Sequence, residues 1–141
     1  MKPFKWGKSN TVFIPELDAE HKTIFRMAEE LQRAMEADAS TADLHPGLMA
    51  LAEHAEAHFE HEERLMRESV CPSFEWHKGQ HNTARKRLRL FLPEIQQGNH
   101  EALELLMEFL AGWLRDHTAL TDRIMSAHVR NHQRVVARLA S

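Results

Sequence analysis

The stretch HFEHEERLM, His58 to Met66, decides the fold. It is built from strong helix formers and holds no Gly, Pro or β-branched residue. A helix advances about 100° per residue. At that step Leu44, Leu48, Leu51, Ala55, Phe59 and Met66 line up as one apolar stripe. Glu62 falls near the centre of the stripe and His58 at its shoulder. His54 and His61 lie further round, toward its edge. Glu53, Glu56, Glu60 and Glu63 project largely onto other faces. A helix that turns a carboxylate and an imidazole into its own apolar face needs neighbours that satisfy both.

Those neighbours are legible on either side. The polar run Asp38–Asp43 with Pro46-Gly47, the break Cys71-Pro72-Ser73, and Pro93 with Gly98-Asn99 separate long helix-forming segments. The segments run over about 16–37, 44–69, 74–95 and 100–126, and a shorter one follows at 127–140. None shows the alternation of a half-buried strand. The pattern predicts an all-α, up-down-up-down four-helix bundle. Residues 1–15 form an arm, with Pro3, Gly7 and Pro15. Its Phe4, Trp6, Val12, Phe13 and Ile14 are expected to pack across the bundle. Residues 127–141 are expected to form a short terminal helix, and 1–141 one domain.

Composition narrows the function classes. The chain has 141 residues and a formal net charge of −3, which argues against a nucleic-acid binder or a polybasic membrane module. No apolar run reaches the ~18 residues of a membrane span. The N-terminus has no apolar leader-like run, so a cytoplasmic location is expected. One cysteine excludes an internal disulfide and a CxxC metal site. Eleven histidines and no tyrosine are the unusual feature.

The histidines are arranged, not scattered. His21 shares a stripe with Leu17, Ile24, Phe25 and Ala28. His77 and His81 share one with Phe74, Ala84, Leu88, Phe91 and Ile95. His117 sits among Leu103, Leu106, Leu110 and Leu114. One inward histidine is an ordinary core residue with a hydrogen bond. Five of them on four facing helices, with Glu62, point to a metal centre, because neutral imidazoles and carboxylates are common metal ligands. His58-x-x-x-Glu62 and His77-x-x-x-His81 are i, i+4 pairs that put two ligands on one face. Asp122 fails this projection. It lies about 120° or more from the centre of its stripe and reads as a surface residue, unless a π-type turn underwinds the helix.

The matching pieces are FKW at 4–6, LDAEHKTIF around His21, HFEHEERLM from His58, HKGQH from His77 and WLRDHTALTD from Trp113 to Asp122. Over about residues 4–125 the chain resembles the hemerythrins, in particular the single-domain bacteriohemerythrins. The resemblance implies two iron ions with an oxo or hydroxo bridge. It assigns His77, His81 and His117 to one iron, His21 and His58 to the other, and Glu62 and Asp122 as bridges. It also turns Asp122 inward. It leaves one coordination position open, at the iron with two histidines. It implies reversible O2 binding for storage, delivery or sensing, small anions such as azide as further ligands, and no enzymatic activity. A sensor would need a separate protein partner.

An open position needs a dry wall, and Phe59, Trp113 and Leu114 are its candidates. Thr118 departs from the family, where an aliphatic residue usually follows the ligand histidine. It is expected to face the pocket and recruit water or donate a hydrogen bond. Phe13 stands where related chains often carry Gly. Other readings remain open on the residues alone: a di-iron enzyme handling peroxide or nitric oxide, and a zinc- or haem-binding bundle. His54 and His61 could make a zinc site with His58. His45, His100, His128 and His132 are expected to be solvated, and Cys71 to be an inert loop thiol.

Overall fold

Each interhelical break carries its own stop, and two of the three carry a capping start. The computed structural model describes residues 4–141, so the part of the arm that includes Pro3 lies outside the described residues. Helix α1 spans Pro15–Glu36, α2 Thr41–Glu68, α3 Phe74–Gln96 and α4 His100–Asp116. Asp38, Val70 and Gly98 follow the first three helices with left-handed φ of 61°, 51° and 93°. The next N–H in each case returns to a carbonyl five residues back: Ala39 to Ala34, Cys71 to Met66, Asn99 to Glu94. That closes the helix end. Ser40 Oγ accepts from the Asp43 N–H at 3.0 Å, and Asn99 Oδ1 from the Ala102 N–H at 3.1 Å. These caps start α2 and α4.

Two boundaries differ from those the sequence suggests. The Ser40 cap starts α2 three residues before the expected Leu44, so Pro46 lies inside the helix. The carbonyl that Pro46 leaves unpaired belongs to Ala42, an exposed residue that water can serve. Gly47 lies where α2 crosses α1: a Cβ there would come within 2.7 Å of Leu31 Cδ2 and push that side chain aside. At the other end, α4 runs through a π-helical turn, His117–Thr121, directly into α5, Asp122–Ala140. The separate helix expected to begin at 127 is therefore the continuation of α5.

The molecule is an all-α four-helix bundle, with α4, the π turn and α5 forming its last rod. Sequential helices pack on one another. Along every rod the inward face runs apolar, polar, apolar. On α1 the order is Leu17, His21, Ile24. On α2 it is Leu51, then His58 and Glu62, then Met66. On α3 it is Phe74, then His77 and His81, then Leu88. On the last rod it is Leu114, then His117 and Asp122, then Met125. A large apolar cluster thus closes one side of a polar layer. A smaller one, with Val12, Ile14, Leu17, Met66 and Met125, closes the other.

The arm packs largely as expected: Phe4, Val12 and Ile14 are buried. Phe13 is the exception. It takes a φ of 62°, a left-handed conformation that favours glycine. It is 60% exposed, with the Arg123 and Arg130 guanidinium groups over its ring. No described helix is long and apolar enough to cross a membrane.

Candidate metal centre

The two i, i+4 pairs do what their spacing predicts. Regular helix carries His58 and Glu62 on α2, and His77 and His81 on α3, to the interior. His21 comes from α1. His117 and Asp122 come from opposite ends of the π turn, where an i→i+5 repeat brings the fifth residue back to the same face. The underwinding considered for Asp122 is therefore present, and its carboxylate is 0% exposed.

All seven side chains meet in one place. Two groups of ligand atoms form, each mutually within 4.8 Å: Glu62, His77, His81, His117 and Asp122, and His21, His58, Glu62 and Asp122. The carboxylates divide their oxygens between the groups. Glu62 Oε1 faces His77 Nε2 and His81 Nε2 at 3.2 and 3.0 Å, and Oε2 faces His21 Nε2 and His58 Nε2 at 3.3 and 3.0 Å. Asp122 Oδ1 faces His77 Nε2 and His117 Nε2 at 3.1 and 3.0 Å, and Oδ2 faces His21 Nε2 at 3.1 Å.

Hydrogen bonding does not account for this arrangement. His21 Nε2, His117 Nε2, Glu62 Oε2 and both Asp122 oxygens are buried with no hydrogen-bond partner among the described residues. They converge instead on common points. Ligand atoms about 2.1 Å from an ion and at right angles lie about 3.0 Å apart. The observed separations match that spacing, so the residues fit a bound cation.

An outer ring holds three of the five imidazoles in place. His58 Nδ1 donates to Glu20 at 2.6 Å, and Glu20 also accepts from His61 Nδ1 at 2.7 Å. His81 Nδ1 donates to Glu63 at 2.8 Å, and Arg85 pairs with the same carboxylate at 2.8 Å. His117 Nδ1 donates to Gln80 Oε1 at 2.8 Å, which also accepts from the Thr121 hydroxyl. A ring that donates through Nδ1 keeps its Nε2 lone pair for a metal. Glu63, which projects off the apolar stripe and is not expected to point inward, is nevertheless buried. It sits one residue past Glu62, where α2 meets α3 and His81 needs an acceptor. Sequence projection missed Glu20 and Gln80 as well. The signal was available, since a ligand histidine nearly always needs a partner for its second nitrogen.

Electrostatics follows from burial against facing charge. Burial opposes a proton on each imidazole, but Asp122 and Glu62 outweigh it at His21, raised to about 10, and at His77, raised to about 9. Glu62 and Glu20 do the same for His58, raised to about 8. At His117 burial prevails and the pKa falls. Burial would also raise the carboxyl pKa of Glu62 and of Asp122, yet the facing histidines hold both well below the usual range. Protons and a cation therefore compete for the same nitrogens.

A narrow cavity opens beside the group that has two histidines. It leaves about 10 Å³ for the centre of a water-sized molecule. The four expected wall residues, Phe59, Trp113, Leu114 and Thr118, line it, with Ile24, Phe25 and Ala55 in addition. Ile24 and Phe25 were legible as partners, being three and four residues from His21. Phe59 stacks on His81 with centroids 4.3 Å apart, and Trp113 on His117 at 4.2 Å. Thr118 does not offer its proton to the cavity. Its hydroxyl donates to the Leu114 carbonyl at 2.7 Å and accepts from Asn10 Nδ2 at 2.7 Å. His128 is likewise bound, donating to the Ser69 carbonyl at 2.8 Å. His45 is partly buried, and Cys71 is buried.

Fold and site together define a helical-bundle protein with a buried cation-binding cluster. The family model described as "Hemerythrin HHE cation binding domain" matches residues 12–129. Bacteriohemerythrin from Aquifex aeolicus (strain VF5) is 31% identical over 126 residues, which cover 86% of this chain and 92% of that protein. Bacteriohemerythrin from Clostridium acetobutylicum is 24% identical over 125 residues, covering 85% and 96%. The chain belongs to the hemerythrin family.

Proposed function

We propose that this chain holds two iron ions, joined by an oxo or hydroxo bridge, and binds O2 reversibly for storage, delivery or sensing in the cytoplasm. His77, His81 and His117 would hold one ion, His21 and His58 the other, with Glu62 and Asp122 spanning both. The observation that carries this is the division of each carboxylate's oxygens between the two histidine groups. When bound, the iron pair supplies the redox electrons for O2 capture.

The remaining work falls to this chain's own side chains. The cavity lies against His21 and His58, with His117 of the other group also in its wall; on this reading the open position belongs to the ion with two histidines. Its size is about that of a single water-sized ligand. Phe59, Trp113 and Leu114 keep it apolar, which disfavours bulk water. Azide is the expected competing ligand. Five neutral imidazoles against two carboxylates favour capture over O–O cleavage, which supports a carrier rather than an enzyme.

The test combines metal analysis with an anaerobic reduction and reoxygenation cycle followed in the visible spectrum. Two irons per chain, with a charge-transfer band that appears with O2 and vanishes on its removal, support the reading. Zinc or haem in the purified protein overturns it. Sustained turnover of peroxide or nitric oxide moves the protein to the enzyme class.

A further inference from the structure

The π turn is the costly element of the site. Such turns are rare and occur mostly as single bulges inside α-helices. On a regular helical path from His117, Asp122 would swing well over 100° away from the cluster. Something must hold the turn, and the N-terminal arm touches it at two points. Asn10, 3% exposed, donates from Nδ2 to Thr118 Oγ1 at 2.7 Å. Its Oδ1 accepts the Gly7 N–H at 3.0 Å, so the amide is fixed from both sides. Thr118 hands its own proton to the Leu114 carbonyl inside the disturbed stretch. Beyond Asp122, the Arg123 guanidinium donates to the Thr11 and Lys8 carbonyls at 3.1 and 2.9 Å.

The arm is anchored in turn to α1. Asp18 accepts from the Thr11 hydroxyl and the Val12 N–H, both at 2.8 Å, and from the Phe13 N–H at 3.2 Å. Asp18 lies one turn before His21, whose Nε2 faces Asp122 at 3.1 Å. The arm is therefore a strut between the helix that carries His21 and the turn that carries Asp122.

We propose that Asn10 is a positioning residue: through Thr118 it holds the π turn that aims Asp122 into the metal centre. Asn10 and Thr118 act as one unit, a buried polar pair in which Asn10 Nδ2 finds its acceptor in Thr118 Oγ1. The link from turn to metal rests on the proposed ligand role of Asp122; the link from arm to turn does not.

The experiment compares Asn10→Ala, Thr118→Val, Thr118→Ser and the Asn10→Ala/Thr118→Val double variant with the parent chain. Amide hydrogen exchange across residues 117–122 is read in metal-free protein, and Fe2+ uptake is titrated anaerobically. Losing a buried hydrogen bond and orphaning its partner predicts exchange about tenfold faster or more in Asn10→Ala and in Thr118→Val. The double variant should be no worse than the singles, and Thr118→Ser should match the parent. Fe2+ affinity should fall in step with the exchange. Unchanged exchange in Asn10→Ala, or additive effects in the double variant, overturns the proposal. If Asn10→Ala does not fold, the contrast of Thr118→Val with Thr118→Ser decides it. Failure of the ligand reading looks different: the parent chain itself takes up no pair of ions.

Discussion

The α2–α3 half of the centre and the α4–α5 half place ligands by different means. On α2 and α3, His58, Glu62, His77 and His81 are one helical turn apart within each pair, and regular hydrogen bonding orients them. Nothing outside each helix is needed to put its pair on one face. On the last rod His117 and Asp122 share a face only because the helix is underwound between them. That turn is braced from outside, by Asn10 on Thr118 and by the arm carbonyls on Arg123. The lesson is that periodicity positions ligands cheaply where the spacing suits the helix. Elsewhere tertiary contacts must supply the geometry.

The sharpest way to break this comparison is to remove the irregularity. Deleting Ala119 shortens the π turn by one residue and makes His117 and Asp122 an i, i+4 pair, which a regular helix keeps on one face. Two-ion binding should survive that deletion, and it should no longer depend on Asn10. Inserting an alanine after Ala119 instead should rotate Asp122 and everything after it by about 100° and abolish tight two-ion binding, with helix content unchanged by circular dichroism. An insertion that still binds two ions would refute the role of the turn. By contrast, Leu48→Ala in the apolar layer should leave the metal stoichiometry intact while costing about 2–5 kcal/mol in denaturant unfolding.

A smaller effect is expected in the outer ring. Glu63→Ala removes the acceptor of His81 Nδ1 and the buried partner of Arg85. Metal affinity should fall about 10–100-fold by competition with a chelator, with stoichiometry retained. An unaltered affinity would reduce Glu63 to an ordinary ion pair.

The smallest effect concerns pH. His21, His77 and His58 have folded pKa values raised to about 10, 9 and 8. A raised folded pKa gives stability that is complete below the unfolded value and lost as pH rises through the folded one. Metal-free protein should therefore melt several degrees lower near pH 10 than near pH 7, about the limits those shifts set. Metal uptake near neutral pH should release protons, and affinity should weaken as pH falls. A melting temperature flat over this range would mean that the histidines carry no protons in the metal-free fold.

Much of this protein was legible in its residues. The helices, their breaks and the bundle follow from composition, stop signals and apolar spacing, because local propensity and periodicity act within a few residues. His21, His58, Glu62, His77, His81 and His117 were legible for the same reason: each lies on an apolar stripe that a regular helix must bury. Asp122 was legible only through resemblance, since its own periodicity pointed outward. Glu63 was misplaced, and Glu20 and Gln80 were not found. Their roles depend on which nitrogen of a distant histidine arrives beside them. Thr118 was placed on the right wall with the wrong chemistry, because its partner, Asn10, is 108 residues away in sequence. The sequence by itself determined which side chains had to be buried. Only the tertiary structure decided how their donors and acceptors were paired, because burial is set by local period while pairing is set by what a neighbouring helix or arm presents.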